Sequence, residues 1–275
     1  MKINKIYSLL LSAIVLLFIA CEPIEDREVL SNSFNPDEIE LEVVQTADGT
    51  GNGLSIRMNT PGIAGYWDYN IDKKFSDRVE VNYPIPGEQT FTFHVTTPYM
   101  TDGKPSEKEY ISKSITIQID QLDQPLPDAY YYLVGDDLAG KTWVFDGGPN
   151  PDGGLWWFMS DPANPWGIWW NAAGDCCPPA DAAGKMVFDL DGAANYTYYS
   201  NADGDPVTGS SFKFNADYSK LYIQGDANLL GTIAGSGGGN AGVYNIVEFS
   251  SDRLVLHVPD AEWATGWTWV FVPQE

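Results

Sequence analysis

Polar and apolar residues alternate along most of the chain. From Asp37 onward, Ile39, Leu41 and Val43 share one parity, and Glu38, Glu40 and Glu42 share the other. A period of two sends successive side chains to opposite faces, so this segment predicts a half-buried strand with a wet, acidic face. Leu54-Ser55-Ile56-Arg57-Met58 alternates again after the turn signals Asp48-Gly49 and Asn52-Gly53. Further strands are expected at 64–71, 78–83, 89–97 and 111–119. Six short strands in under 100 residues, broken by turns, point to an antiparallel sandwich.

A second series of strands is expected at 142–145, 155–159, 167–170, 185–190, 196–199, 211–215, 220–224, 243–249, 253–258 and 266–272. No stretch carries a clear helical apolar stripe, so the fold class is all-β. For this second region a jelly-roll β-sandwich is the first expectation and a lipocalin-like barrel the alternative, since both are built from many short antiparallel strands. Pro125 and Pro127 disfavour regular structure between the two series. The expected organisation is therefore a domain over 37–122, a proline-containing linker over 123–128 and a second domain over 129–275.

Length and composition agree with two packed domains: 275 residues, 44% hydrophobic and 13% aromatic. The formal net charge of -23 argues against a nucleic-acid partner, because phosphate backbones reward clustered Lys and Arg and repel an acidic surface. The two histidines, His94 and His257, leave little material for a His-rich metal site or a Ser-His-Asp triad.

The first twenty residues read as an export signal. Lys2 and Lys5 give a basic start, and residues 6–20 are apolar apart from Tyr7, Ser8 and Ser12. That run is shorter than the roughly 20 residues a membrane-spanning helix needs. Its end, Leu17-Phe18-Ile19-Ala20-Cys21, resembles a bacterial lipobox, although Phe18 stands where Leu is usual. The resemblance implies cleavage before Cys21, lipidation of Cys21 and an outer-membrane lipid anchor. Loss of Lys2 and Lys5 with the signal would bring the net charge to -25. Residues 21–36 form an acidic tether, and Glu22, Glu25, Asp26 and Glu28 resemble the surface-export signal of Bacteroides-type lipoproteins.

Two further resemblances concern the folded domains. Tyr66-Trp67-Asp68-Tyr69, Pro86-Gly87-Glu88-Gln89-Thr90-Phe91-Thr92-Phe93-His94-Val95 and Ser114-Ile115-Thr116-Ile117 are similar to PKD domains. Asn70-Ile71-Asp72 replaces the usual Gly-Asp-Gly. This similarity implies an immunoglobulin-like spacer or adhesion module without catalytic residues. The segments 138–146, 244–249, 254–256 and 267–271 resemble C-terminal domains of Bacteroides-type surface lipoproteins that are glycan-binding or glycoside-hydrolase-like. They also resemble the late strands of bacterial lipocalin-like domains. The resemblance implies carbohydrate handling at the cell exterior: a polysaccharide or oligosaccharide ligand, and an outer-membrane glycan transporter as partner.

Nine of the ten Trp follow residue 128. Trp143, Trp267 and Trp269 alternate within strands and are expected in the core. Trp156, Trp157, Trp166, Trp169 and Trp170 cluster among Gly and Pro. Adjacent Trp put one ring on each face of any strand, and flat rigid indoles suit the C–H face of a sugar. With Asp152, Asn171 and Asp175 as polar partners, they are the candidate ligand-binding residues. Two readings stay open, a sugar platform and a minor core beneath a long loop.

Cys176 and Cys177 are the remaining thiols. Export permits a disulfide, and pairing these neighbours would close a strained ring, since adjacent Cα atoms lie about 3.8 Å apart and bridges favour about 4.4–6.8 Å. Free thiols and pairing with another chain are the alternatives. No cofactor, resident metal or catalytic residue is implied. Asp189, Asp191, Asp203 and Asp205 offer weak hard-oxygen ligands for Ca2+ without EF-hand spacing. The expected function is glycan binding by a surface lipoprotein. A glycoside hydrolase or lyase, and a structural or adhesive surface protein, are the alternatives.

Overall fold

The computed structural model describes residues 36–96, 100–101, 104–105, 111–147, 157–171, 179–231, 242–261 and 264–274. The leader, Cys21 and the acidic tether lie outside the described residues.

The N-terminal region has two small antiparallel sheets. One orders β1 (Leu41–Gln45), β2 (Gly53–Met58) and β5 (Arg78–Asn82) side by side. The other orders β4 (Lys73–Lys74), β3 (Gly65–Asp68), β6 (Gly87–Val95) and β9 (Ser112–Ile119). A separate pair joins β7 (Met100–Thr101) to β8 (Lys104–Pro105). Alternation is what holds the two sheets together. Leu54, Ile56 and Met58 face Trp67, Phe91, Phe93 and Val95 across one shared core, while Thr90, Thr92, Ser114 and Thr116 face outward and pair hydroxyl to hydroxyl across β6 and β9.

The C-terminal region is a closed antiparallel barrel, not the two-layer jelly roll placed first from sequence. Its wall runs β10 (Lys141–Phe145), β13 (Lys185–Asp189), β14 (Asn195–Tyr199), β15 (Val207–Phe214), β16 (Lys220–Gln224), β17 (Val243–Phe249), β18 (Leu254–Ala261) and β19 (Thr265–Pro273). Pairing of β10 with β19, through Trp143↔Pro273 and Phe145↔Phe271, closes the ring. Each strand neighbours the next, so both sandwich edges vanish. The inward parity is aromatic: Trp143, Phe145, Phe188, Tyr196, Phe212, Phe214, Tyr244, Trp269 and Phe271 are all buried. Each such side chain contributes on the order of 1.5–3 kcal/mol on leaving water.

No helical stripe shows in the sequence, yet α1 spans Asp128–Val134. Its apolar spacing lies in the buried residues Ala129, Tyr130, Leu133 and Val134, too short a run to stand out, and three consecutive Tyr favour strands. The barrel supplies what propensity does not. Trp143 Nε1 donates to the Leu133 carbonyl at 2.9 Å, and Tyr130 packs edge-on against Phe214.

The proline-containing linker is clamped. Asn52, fully buried, accepts from the Gln124 N–H at 2.7 Å and donates to the carbonyls of Tyr83 and Gln124. Asn82 Nδ2 donates to the Pro125 carbonyl at 3.1 Å. Ile85 and Leu122 pack against both cores. Gly87, at φ +90°, brings its Cα so close to the Gly192 carbonyl that a Cβ there would collide with it.

Candidate functional site

Beside the closed wall, β19 carries a second partner. β11 (Trp157–Asp161) pairs with β19 through Trp157↔Trp269 to Ser160↔Gly266, continuing the line of β10. β12 (Asn164–Asn171) pairs with β11 and ends the sheet. The candidate tryptophans therefore sit on an edge hairpin flanking the barrel.

Register decides the fate of each indole. β12 pairs with β11 as Phe158↔Asn171, Met159↔Trp170, Ser160↔Ile168 and Asp161↔Asn164. Trp169 is thus a surplus residue between two paired ones, and Pro165, Trp166 and Gly167 are surplus before Ile168. Surplus residues leave the ladder and re-aim their side chains. Trp166 and Trp169 are 40% and 53% exposed, with Ile168 exposed beside them.

The ladder-paired Trp157 turns inward. It is 4% exposed, stacks on Trp267 at 4.7 Å and meets Trp170 edge-on at 5.9 Å. Trp157 and the half-buried Trp170 were both candidate ligand residues. Of the two readings left open, the minor core describes Trp157, which inward parity on β11 puts in the core, while Trp170 packs partly buried against that core from opposite Met159. The indole N–H groups of Trp157, Trp267 and Trp269 are buried and make no hydrogen bond among the described residues.

Short polar contacts hold the exposed pair. Asp161 Oδ1 accepts from the Ala163 N–H at 2.8 Å and Asn164 Oδ1 from the Trp166 N–H at 3.2 Å. The Thr268 hydroxyl donates to the Pro165 carbonyl at 2.8 Å and lies 3.1 Å from Ser160 Oγ. Beneath, Phe158, Val255 and Val270 form a small apolar cluster on the outer face of the wall, and Trp166 lies over Phe158 at 6.2 Å. His257 is 3% exposed beside Gly266 and Ser160, and burial pushes its imidazole pKa down. Pro165 and the surplus residues blunt β12 as an edge for strand addition, so its chemistry lies in side chains rather than in its backbone.

Trp156, Asp152, Asp175, Cys176 and Cys177 lie outside the described residues. Asn171 ends β12 half-buried, opposite Phe158. Asp189 Oδ1 accepts from the Asp191 N–H at 3.0 Å and from Asn195 Nδ2 at 2.7 Å, which makes it a turn clasp. Among the described residues no three His, Cys, Asp or Glu side chains converge as metal ligands. Asp181 was not singled out from sequence. Buried at 3% exposure, it accepts from the Gly231 N–H at 3.0 Å and the Tyr198 hydroxyl at 2.8 Å. Burial pushes its carboxyl pKa up, and its partners give it a structural role.

No protein-family model matches the chain, and no curated protein matches it.

Proposed function

We propose that this chain is a cell-surface lipoprotein that binds glycan through the barrel's edge hairpin. Cys21 is the lipid attachment point, holding the protein at the outer membrane with its domains facing outward. The N-terminal region is a PKD-like, immunoglobulin-like spacer, and the barrel is lipocalin-like in its meander. The ligand is a polysaccharide or oligosaccharide, delivered onward to an outer-membrane glycan transporter.

The observation that carries this reading is the pair Trp166 and Trp169. Two indoles stand on surplus residues, 40% and 53% exposed, on a hairpin pinned by Asp161, Asn164 and Thr268. At this exposure each ring forgoes part of the roughly 1.5–3 kcal/mol that full burial of a large apolar side chain supplies, and stacking on a sugar's apolar face would recover some of it. Rigid rings lose little entropy on binding.

The test is affinity electrophoresis in gels containing soluble polysaccharides, comparing the parent with Trp166→Ala, Trp169→Ala and the double variant. Retardation of the parent should fall by roughly fivefold or more in each single variant with melting temperature unchanged. Equal retardation of parent and double variant would remove the hairpin from the reading. Incorporation of labelled palmitate, lost in Cys21→Ala, checks the anchor.

A further inference from the structure

Away from the hairpin, an open cleft lies between the two domains. One part, about 550 Å³, is lined by Asp68, Asn70 and Lys73 on one side and Lys213, Asp217 and Tyr222 on the other. A second part, about 590 Å³, shares Asp68, Asn70 and Lys213 and adds Ser211 and Gln224. Together they make a trough of the size that small ligands occupy, at the kind of domain junction where such sites concentrate.

The barrel wall of this trough is the outer face of β15 and β16. Ser211 pairs directly across from Gln224, and Lys213 from Tyr222. Cross-strand pairs of this kind stand side by side on one face. None of the four side chains hydrogen-bonds among the described residues; the Lys213 ammonium rests over the Tyr222 ring at 5.5 Å. Opposite them, Asn70 spends its amide N–H groups on the Thr90 carbonyl and the Tyr83 hydroxyl. Its side-chain oxygen makes no hydrogen bond among the described residues. Asp68 is held by Lys73 at 3.0 Å.

The trough is also preformed. The linker is fastened through Asn52 and Asn82, and Gly87 abuts Gly192, so the two walls do not have to be brought together when a ligand enters. Preorganisation of this kind spares a ligand the cost of ordering its site.

We propose that this interdomain trough is a second carbohydrate site, which takes an extended, uncharged polysaccharide chain. The proposal rests on the glycan reading for its ligand class but not for its location. Hydroxyl and amide groups with no hydrogen bond among the described residues, beside the Lys213 ammonium on the Tyr222 ring, suit a ligand rich in hydroxyls that both donate and accept. Tyr222 offers a ring for one sugar face. The two parts, about 550 and 590 Å³, adjoin through Asp68, Asn70 and Lys213, so one extended chain could contact both. The chain's net charge of -23 opposes a polyanion. Desolvation at Asp68 is outweighed by Lys73 and the Asn70 N–H, and Ser219 holds Asp217 low, so both carboxylates stay charged acceptors in the trough. Two sites on one chain would let a polymer bind more tightly than a short oligosaccharide, by raising the effective concentration of the second contact.

The experiment uses the exported chain with Cys21→Ser, run in native gels containing neutral β-glucan, mannan, galactan or xylan. Ser211→Trp fills the trough from a surface strand position, and Tyr222→Ala removes its ring; thermal melts check that both fold. In the gel that retards the parent, Ser211→Trp should lose most of the retardation. Tyr222→Ala should lose roughly five- to tenfold, and the Trp166→Ala/Trp169→Ala double variant should retain a measurable part. Folded Ser211→Trp and Tyr222→Ala proteins that run like the parent would overturn the trough and leave the hairpin reading standing. A parent retarded in none of the gels would overturn both.

Discussion

The barrel interior and the edge strand β12 are both rich in tryptophan, yet they treat it oppositely. Inside, Trp143, Trp267 and Trp269 sit at regular inward positions between two paired neighbours and are 0–3% exposed. On β12, Trp166 and Trp169 sit where the strand has more residues than its partner, with no strand on the far side among the described residues. The contrast teaches that tryptophan content says little about a binding surface. Register and the number of neighbouring strands decide which rings are structural and which stay available.

The sharpest way to break the comparison is to cut into each side of it. Trp269→Ala should destabilise the barrel by about 3–5 kcal/mol, because the ring is fully buried against Tyr244 and the cavity cannot collapse. Chemical denaturation with an unchanged slope measures it, and a loss under 1 kcal/mol would show that the interior is not the packed side. Next in size, Thr268→Val keeps the shape but strips the Pro165 carbonyl of its donor. A loss of about 1–2 kcal/mol is expected, with Trp166 emission shifted to longer wavelength as the hairpin loosens.

A smaller effect comes from His257, buried where the hairpin meets the wall. Its folded pKa is depressed by burial, so the unfolded chain binds the proton more readily. Stability should be unaffected above the unfolded pKa of about 6.5 and should decline as pH falls through that value. His257→Gln should flatten the slope between pH 7.5 and 5; a slope unchanged by the substitution would place the acid sensitivity elsewhere. The smallest stability change, within about 0.5 kcal/mol, is expected for Trp169→Ala. A ring this exposed that nonetheless cost several kcal/mol would erase the distinction between the two regions.

Much of this was legible in the chain. Parity alone marks Trp143, Trp267 and Trp269 as interior, and the longer strands follow from alternation, while the two-residue β4, β7 and β8 are too short to show a period. That Trp157 faces inward was not legible, because that depends on pairing with β19, more than a hundred residues away. The surplus at Trp169 leaves no mark in the sequence of β12 itself, since a bulge is a mismatch in count between two strands. The clamp on the linker was hidden for a similar reason: Asn52 reads as a turn residue before Gly53 until the chain returns at Gln124. Helix α1 is fixed by the barrel core it packs against rather than by its own propensity.

β19 pairs with β18 along one side and with β10 and β11 along the other. It is synthesised after every other barrel strand, so the ring cannot shut until nearly the whole of this region has emerged, and its contacts span long stretches of chain. Such non-local closure slows folding. The two-sheet region, complete by Ile119, can reach its native packing earlier, which leaves a folded front half carrying an unzipped, aromatic-rich back half for a time. A chaperone that shields aromatic segments would act on that interval, and a chain stopped before Thr265 would stay in it.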